Sequence, residues 1–331
     1  MLPPFISLEE HFARVTSYTK EASGIGENFF ADALRRLPDV GPLRLQSMDD
    51  NNVVRQVVSH VPMVLTLQQA SAVNDQLAEA CRAHPDRFSG FATLPMATPE
   101  AIAAELTRCV QELEFVGTLV GNHAYGTFYD GPAYDQLWAA AEALDVPVYL
   151  HPAEPSQAMK DVLYTGSFSA TDSTLLGTFA YGWHAEVATH VLRLFAAGVF
   201  DRFPRLKVIV GHFGSSLPMF VDRVAWSETL GGFKDRQRNF KAVYAENIWI
   251  TTSGVWSLDP LATILRNTKI DHILYSVDYP FTSNEKGLAF MRSLQESGLV
   301  DEEQFAMIAY KNAQKLLKVE YKGGAPFFRL E

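Results

Sequence analysis

The sequence predicts an α/β chain folded as a (β/α)8 barrel of the TIM type, with loop insertions. Three observations carry this expectation. Eight short runs rich in β-branched and other apolar residues recur along the 331 residues. Most are separated by segments with apolar residues at helical spacing. Several runs, such as VPVYL and LKVIV, are apolar at nearly every position, as in a sheet covered on both faces. Strands that alternate with helices pair in parallel, because a parallel pair needs a crossover, and eight such units make a barrel.

In chain order, strands are predicted at 5–11, 53–60, 88–94, 116–120, 146–151, 206–212, 248–253 and 272–278. Helices are predicted at 67–83, 99–113, 133–144 and 186–197. The rival architecture is a doubly wound open sheet, which usually carries a Gly-rich phosphate turn after an early strand. Neither GxGxxG nor GxxxxGK[ST] occurs. The stretches 24–43 and 155–177 contain Pro and Gly and read as loop insertions within one domain spanning 1–331. The tail 319–331 reads as a segment that docks on the barrel or on a partner subunit.

Lys and Arg number 28 against 38 Asp and Glu, a formal net charge of −10. That balance argues against nucleic acid as a partner, since phosphate binding needs clustered positive charge. With 47% hydrophobic and 20% charged residues, the chain has the composition of a folded soluble protein. Two cysteines, Cys81 and Cys109, make no disulfide framework and suit a reducing compartment. The N-terminus lacks a basic segment followed by an apolar core, and no apolar run approaches the roughly 18 residues of a membrane span. A cytoplasmic location without a membrane partner is the expectation.

Polar residues stand where the predicted strands end. The first ends in Glu9-Glu10-His11, the fifth in His151, the sixth in His212 and the eighth in Asp278. In this fold the C-terminal strand ends carry chemistry and the strand interiors carry packing. Residues two apart share a face of a strand, so Glu9 and His11 point together and Glu10 points away. Glu9, His11, His151 and Asp278 then converge as two carboxylates and two imidazoles, a donor set suited to one Zn2+ or Mn2+ ion. His212 is left beside it as an acid, base or electrostatic group. Glu10 reads as a structural partner of a backbone donor or an Arg.

Other residues carry weaker signals. His60 and His123 follow strands and are candidates to line the mouth. Glu186 and His190 are four apart in WHAEVATH and share a helical face. His190 reads as a polar contact from helix to sheet, and the protease pattern HExxH is absent. His84 and His272 read as surface residues beside turns. Trp183 and Phe281 lie near the rim, where they are candidates to stack on an aromatic substrate.

These residues carry a resemblance. The chain resembles the amidohydrolase superfamily, in particular its metal-dependent non-oxidative decarboxylases that act on hydroxybenzoates such as γ-resorcylate and 2,3-dihydroxybenzoate. Aminocarboxymuconate semialdehyde decarboxylases are more distant relatives by the same criteria. The segments that carry it are SLEEHF at 7–12, HPDRFSGFATLP at 84–95, ELTRCVQELEFVG at 105–117 and LDVPVYLHP at 144–152. HVLRLFAAGVFDRFPRLKVIVGHFG at 190–214, ENIWITTSG at 246–254, ILYSVDYPF at 273–281 and KNAQKLLK at 311–318 complete the set.

The resemblance implies Glu9, His11, His151 and Asp278 as ligands of zinc or manganese, with no organic cofactor, and Asp278 and His212 as catalytic groups. It implies an ortho-hydroxylated aromatic acid as substrate, chelated through its carboxylate and hydroxyl, with Asp278 protonating the ring carbon. A homodimer or homotetramer is also implied, with Arg223 placed to reach a neighbour's site. The family's Glu after GHxG is replaced by Ser215, which implies a lower proton affinity for His212 and places Ser215 near the substrate. The usual LVN after the fourth strand is altered to Leu119-Val120-Gly121-Asn122. A rival expectation is hydrolysis of a lactone, ester or amide at the same metal. A third is a catalytically silent relative that binds a metabolite.

Overall fold

A computed structural model describes residues 2–14 and 31–320. Eight parallel strands follow one another in chain order around the sheet. They are β1 (Phe5–Phe12), β2 (Val53–His60), β3 (Phe88–Ala92), β4 (Gly117–Gly121), β5 (Val148–His151), β6 (Val208–Val210), β7 (Ile248–Thr251) and β8 (Ile273–Leu274). With the surrounding helices they make a nearly closed (β/α)8 barrel.

Alternation along the strands sorts side chains into two cores. Val148, Leu150, Val208 and Val210 face the helices and join a large outer core with Val73, Leu77 and Leu137. Leu119, Tyr149 and Ile209 alternate with them into a smaller inner core, which also holds Ile6, Leu8 and Phe91. Ala313, Leu316 and Leu317 of the Asn312–Leu317 helix pack into the inner core and fill one end of the barrel.

β1 departs from regular alternation. Ser7 pairs with Gln56 but Glu10 pairs with Val58, so β1 carries one extra residue between them. Ile6 and Leu8 point inward, and unbroken alternation would turn Glu10 inward next. The bulge instead turns Glu9 and His11 toward the barrel axis and Glu10 away from it.

The seam between β1 and β8 is joined by side chains. Ser276 Oγ accepts from Glu9 N at 2.7 Å, and His11 N donates to Tyr279 O at 2.6 Å. The Glu10 carboxylate accepts from Val277 N at 3.1 Å and Tyr279 N at 2.9 Å. Behind it the buried Arg44 donates to His11 O at 2.5 Å and to Gln56 Oε1 at 3.2 Å. Glu10 is therefore a partner of backbone donors, as its place in the sequence suggested.

Several elements differ in extent from the sequence-based expectation. β6 stops at Val210 and β8 at Leu274, so His212 and Asp278 lie beyond the strands, not at their last positions. After β6, residues His212 to Ser216 all take positive φ. After β8, Thr252 Oγ1 takes over the pairing by accepting from Ser276 N at 3.1 Å and donating to Ser276 O at 3.0 Å. The stretch 155–177 is not a plain loop, because it holds the helix Ala170–Gly177 and the turn Lys160–Tyr164. In 24–43, residues 31–36 are helical, while 24–30 lie outside the described residues. Of the tail 319–331, residues 321–331 also lie outside them. His272 is buried, not a surface residue: its ring stacks on Trp249 at 4.1 Å and Nδ1 donates to Ile248 O.

The helix Leu67–Ala83 has the extent its periodicity predicts, because Thr66 caps it: Thr66 Oγ1 accepts from Gln69 N, and Gln69 Oε1 accepts from Thr66 N. Inside it, buried Asn74 donates to Thr93 O at 2.9 Å and Glu105 Oε1 at 2.7 Å, and accepts from Thr93 N at 2.8 Å. One amide thus ties this helix to the segment after β3 and to the helix Pro99–Gln111. Asn74→Ala removes all three bonds and strands Thr93 groups in the core. A loss of about 3 kcal/mol in urea denaturation is expected, and a loss below about 1 kcal/mol would contradict this role.

His190 makes the helix-to-sheet contact expected of it. Nε2 accepts from Tyr129 N and Nδ1 donates to Asn122 Oδ1, both at 3.1 Å. Burial pushes its pKa down to about 3 from an ordinary 6.5. The folded imidazole is neutral where the unfolded one takes a proton. Its contribution to stability is complete above pH 6.5 and is lost as pH falls from there toward about 3. Stability measured from about pH 7 to pH 5 should fall less steeply in His190→Asn than in the parent chain; equal slopes would exclude His190 as a source.

Candidate metal centre

Glu9 and His11 come from β1, His151 from the end of β5, and Asp278 from the turn after β8. One donor atom from each of the four lies within 4.8 Å of the others. His151 Nε2 stands 3.1 Å from Glu9 Oε1, and His11 Nε2 stands 3.3 Å from Asp278 Oδ1. The two imidazoles meet edge to face at 4.7 Å.

The protonation pattern says what this pocket lacks. His151 Nδ1 carries its proton, donated to Pro152 O at 2.8 Å, so Nε2 presents a lone pair. His11 Nδ1 meets Ser59 Oγ at 3.2 Å, which leaves His11 Nε2 free to do the same. Glu9 Oε1, His11 Nε2, His151 Nε2 and Asp278 Oδ1 are all buried without a hydrogen-bond partner. Four buried lone pairs facing one point repel one another unless a cation sits among them. Two imidazole nitrogens and two carboxylate oxygens fit a divalent ion.

Glu9 divides its two oxygens between tasks. Oε1 faces the centre. Oε2 accepts from the hydroxyls of Tyr149 and Ser253, and from Thr251 Oγ1 at 3.3 Å. Burial pushes the Glu9 carboxyl up, His212 pulls it down, and the balance lies well below the carboxylate range. Burial pushes His11 down, which keeps it a neutral donor. Burial pushes Asp278 up, His212 pulls it down, and the balance lies below its ordinary value.

His212 closes the far side. Nδ1 lies 3.7 Å from Glu9 Oε1 and Nε2 lies 3.8 Å from Asp278 Oδ2. Burial alone would push His212 down, but the Glu9 and Asp278 carboxylates hold it above its ordinary value. Charge support for the imidazolium thus comes from the centre itself. Ser215 does not supply it: its Oγ donates to Gly211 O at 3.2 Å, away from the imidazole. Both His212 (φ 55°) and Asp278 (φ 72°) sit in the left-handed region, which costs a non-glycine residue about 1 kcal/mol or more. Two glycines make room for the crowding. A Cβ on Gly211 would meet Tyr149 Oη at 2.7 Å and Glu9 Oε2 at 2.8 Å, and one on Gly254 would meet His212 Cδ2 at 2.7 Å.

The remaining candidates separate. Phe281 places its ring 5.8 Å from that of His11, at the centre. Trp183 packs edge-on to Phe179 at 4.8 Å and keeps a buried indole N–H without a partner. His184 packs against His212 with rings 4.9 Å apart. Ser215 is buried behind the turn. Arg223 is exposed on the helix Leu217–Glu228 with its guanidinium 4.5 Å from the Trp226 ring, and is not brought to the four donors. His60 is fully used by its neighbours, donating to Val61 O at 2.8 Å and accepting from Arg14 N at 3.2 Å. The hydroxyl cage of Tyr149, Thr251 and Ser253 went unmarked by sequence reasoning. Its one available signal was Tyr149, two residues before His151 and on the same face.

The chain matches the amidohydrolase family over residues 30–319. It is 49% identical to decarboxylase orsB of Emericella nidulans, over 97% of this chain and 99% of that protein. It is 33% identical to a γ-resorcylate decarboxylase of Rhodococcus jostii, over 95% of this chain and 98% of that protein. Among solved structures it is similar to a dihydroxybenzoic acid decarboxylase from Polaromonas sp. with bound manganese and the inhibitor 2-nitroresorcinol. There the TM-score is 0.86 at 31% identity, covering 96% of this chain and 97% of the other. The barrel, the donor set and these likenesses agree, and the chain belongs to the amidohydrolase family.

Proposed function

We propose that the protein is a metal-dependent, non-oxidative carboxy-lyase acting on a small ortho-hydroxylated aromatic acid, with Glu9, His11, His151 and Asp278 as metal ligands. The observation that carries the reading is the set of four buried, unpartnered donor atoms within 4.8 Å, in a chain similar over its length to decarboxylases. Manganese fits the two-imidazole, two-carboxylate set, and the Polaromonas structure holds it, so manganese is preferred to zinc. No organic cofactor is required.

A bound divalent ion supplies Lewis-acid stabilisation for negative charge on the substrate's hydroxyl and carboxylate oxygens. The protein's own groups do the rest. Phe281 and Trp183 bound the ring. His212 holds a substrate oxygen by a charged hydrogen bond. Asp278 delivers a proton to the ring carbon that bears the carboxylate, a C–H bond forms, and the C–C bond breaks with its electron pair returning to the ring. Asp278 is ionised in the free site, so the proton it delivers arrives with substrate binding. His212 Nε2, 3.8 Å from Asp278 Oδ2, is the neighbour placed to pass it.

The reading extends to a single domain, a cytoplasmic location and a homodimer or homotetramer. Free Cys81 and Cys109 suit a reducing compartment, and among the described residues no helix is long and apolar enough to cross a membrane. Met219, Phe220 and Trp226 are exposed beside Arg223 on one helix and support contact with another subunit through that face.

Metal-loaded protein incubated with 2-hydroxybenzoate-type acids should release CO2 and the matching phenol in equal amounts. Asp278→Asn should lower that rate by about 10²–10⁴-fold. His11→Ala should lose both turnover and metal, read as metal per chain by elemental analysis. Release of an acid from lactones or esters with no CO2, or activity surviving in either variant, would refute the assignment.

A further inference from the structure

A second group of buried polar atoms lies beside the centre and is not used by the chemistry above. Trp183, Glu186 and His190 are spaced i, i+3 and i+7, so they share one face of the helix Gly182–Ala196. That face meets Asn122 and His123, which follow β4. His190 is satisfied on both nitrogens, but its neighbours are not. His123 Nδ1 accepts from Gly126 N at 3.1 Å, so the proton of the neutral ring is on Nε2. His123 Nε2 points at Glu186 Oε2 from 3.7 Å, too far for a hydrogen bond, and both atoms are buried without partners. The other carboxylate oxygen of Glu186 is held by Tyr164 Oη at 2.9 Å. Asn122 Nδ2 and Trp183 Nε1 are also buried and unpartnered.

A buried donor and a buried acceptor that face each other without bonding are each costly. One oxygen can lie about 2.8 Å from both, provided that it carries a hydrogen to donate. A phenolic hydroxyl does: it donates to Glu186 Oε2 and accepts from His123 Nε2–H. The pair is next to the metal centre along the sheet and along the helix. Gly121 of β4 pairs with His151 of β5, and His184, two residues before Glu186, packs on His212.

We infer that His123 and Glu186, with Tyr164 fixing the carboxylate, form a hydroxyl-recognition subsite that selects aromatic acids bearing a second ring hydroxyl outside the metal-chelating pair. This rests on the decarboxylase reading for the identity of the substrate, but the residues are separate from the four donors. Tyr164 is a positioning residue, acting through Glu186. It also gives the stretch 155–177 a task, since Tyr164 ends its Lys160–Tyr164 turn.

The test compares 2-hydroxybenzoate with the 2,4-, 2,5- and 2,6-dihydroxy acids on metal-loaded protein, reading the ratio of kcat/KM for the best dihydroxy acid to that for 2-hydroxybenzoate. Glu186→Gln turns an amide N–H toward His123 and should shrink the ratio by about 10-fold or more. Tyr164→Phe should shrink it by about 3-fold. Calorimetric affinities for resorcinol and phenol in the same proteins give a second readout that needs no turnover, and the preference for resorcinol should fall in parallel. Ratios that stay unchanged in both variants overturn the inference and mark the gap as a site for bound water only. Should Glu186→Gln fail to fold, Tyr164→Phe decides. If the parent protein decarboxylates none of the acids, the functional reading fails, and the resorcinol-to-phenol ratio alone decides this one.

Discussion

The carboxylate of Glu10 spans the one gap in the barrel wall, and the centre depends on that span. Its two oxygens take the N–H groups of Val277 and Tyr279, the residues on either side of Asp278. Asp278 is thereby pinned between two fixed peptides with a backbone conformation that it would not adopt unaided. The same residue sits between Glu9 and His11, so the clamp that places one donor is covalently joined to two others. Arg44 beneath the seam adds a positive charge and holds His11 O. Three of the four donors are positioned by one short strand and the peptide groups that it grips.

A donor set this dense has to be held against its own repulsion. The protein does so by giving the outer atoms of Glu9, His11 and His151 specific partners and leaving the inward-facing ones bare. Glu9 Oε2 is occupied by three hydroxyls while Oε1 is left open. His151 gives its Nδ1 proton to a carbonyl, and His11 spends Nδ1 on Ser59. The carbonyl contact chooses the tautomer of His151, and the hydroxyl contacts orient the side chains of His11 and Glu9. His212 is held above its ordinary value by the same two carboxylates, while Ser215 serves the backbone of the turn.

Much of this was legible in the sequence, and the reasons differ from residue to residue. Glu9, His11 and His151 stand at the ends of apolar runs, where a polar residue has no packing role to explain it. The parallel topology was legible because βα alternation admits few alternatives. The bulge in β1 was not: nothing in FISLEEHF distinguishes a strand with one extra residue, yet that residue decides whether Glu9 or Glu10 faces the axis. The early end of β6 and β8 was hidden for a related reason. Leu206 to His212 and His272 to Asp278 are apolar enough to continue as strands, but long-range contacts with Thr252 and Ser253 draw the chain out of the ladder. Tyr149, Thr251 and Ser253 read as ordinary strand residues because β propensity favours Tyr and Thr whether or not their hydroxyls work.

The location of the two polar groups argues for a division of labour within the fold. The four donors and His212 lie on β1, β5 and the turns after β6 and β8, in closely packed surroundings. Gly211 and Gly254 leave no room there even for a methyl group. Such a region tolerates little change without losing the donor set. The His123–Glu186 pair stands instead on the segment after β4 and on a helix face reached by the 155–177 stretch. Neither element is one of the strands that carry the centre, so a change at this pair leaves the backbone under the four donors in place.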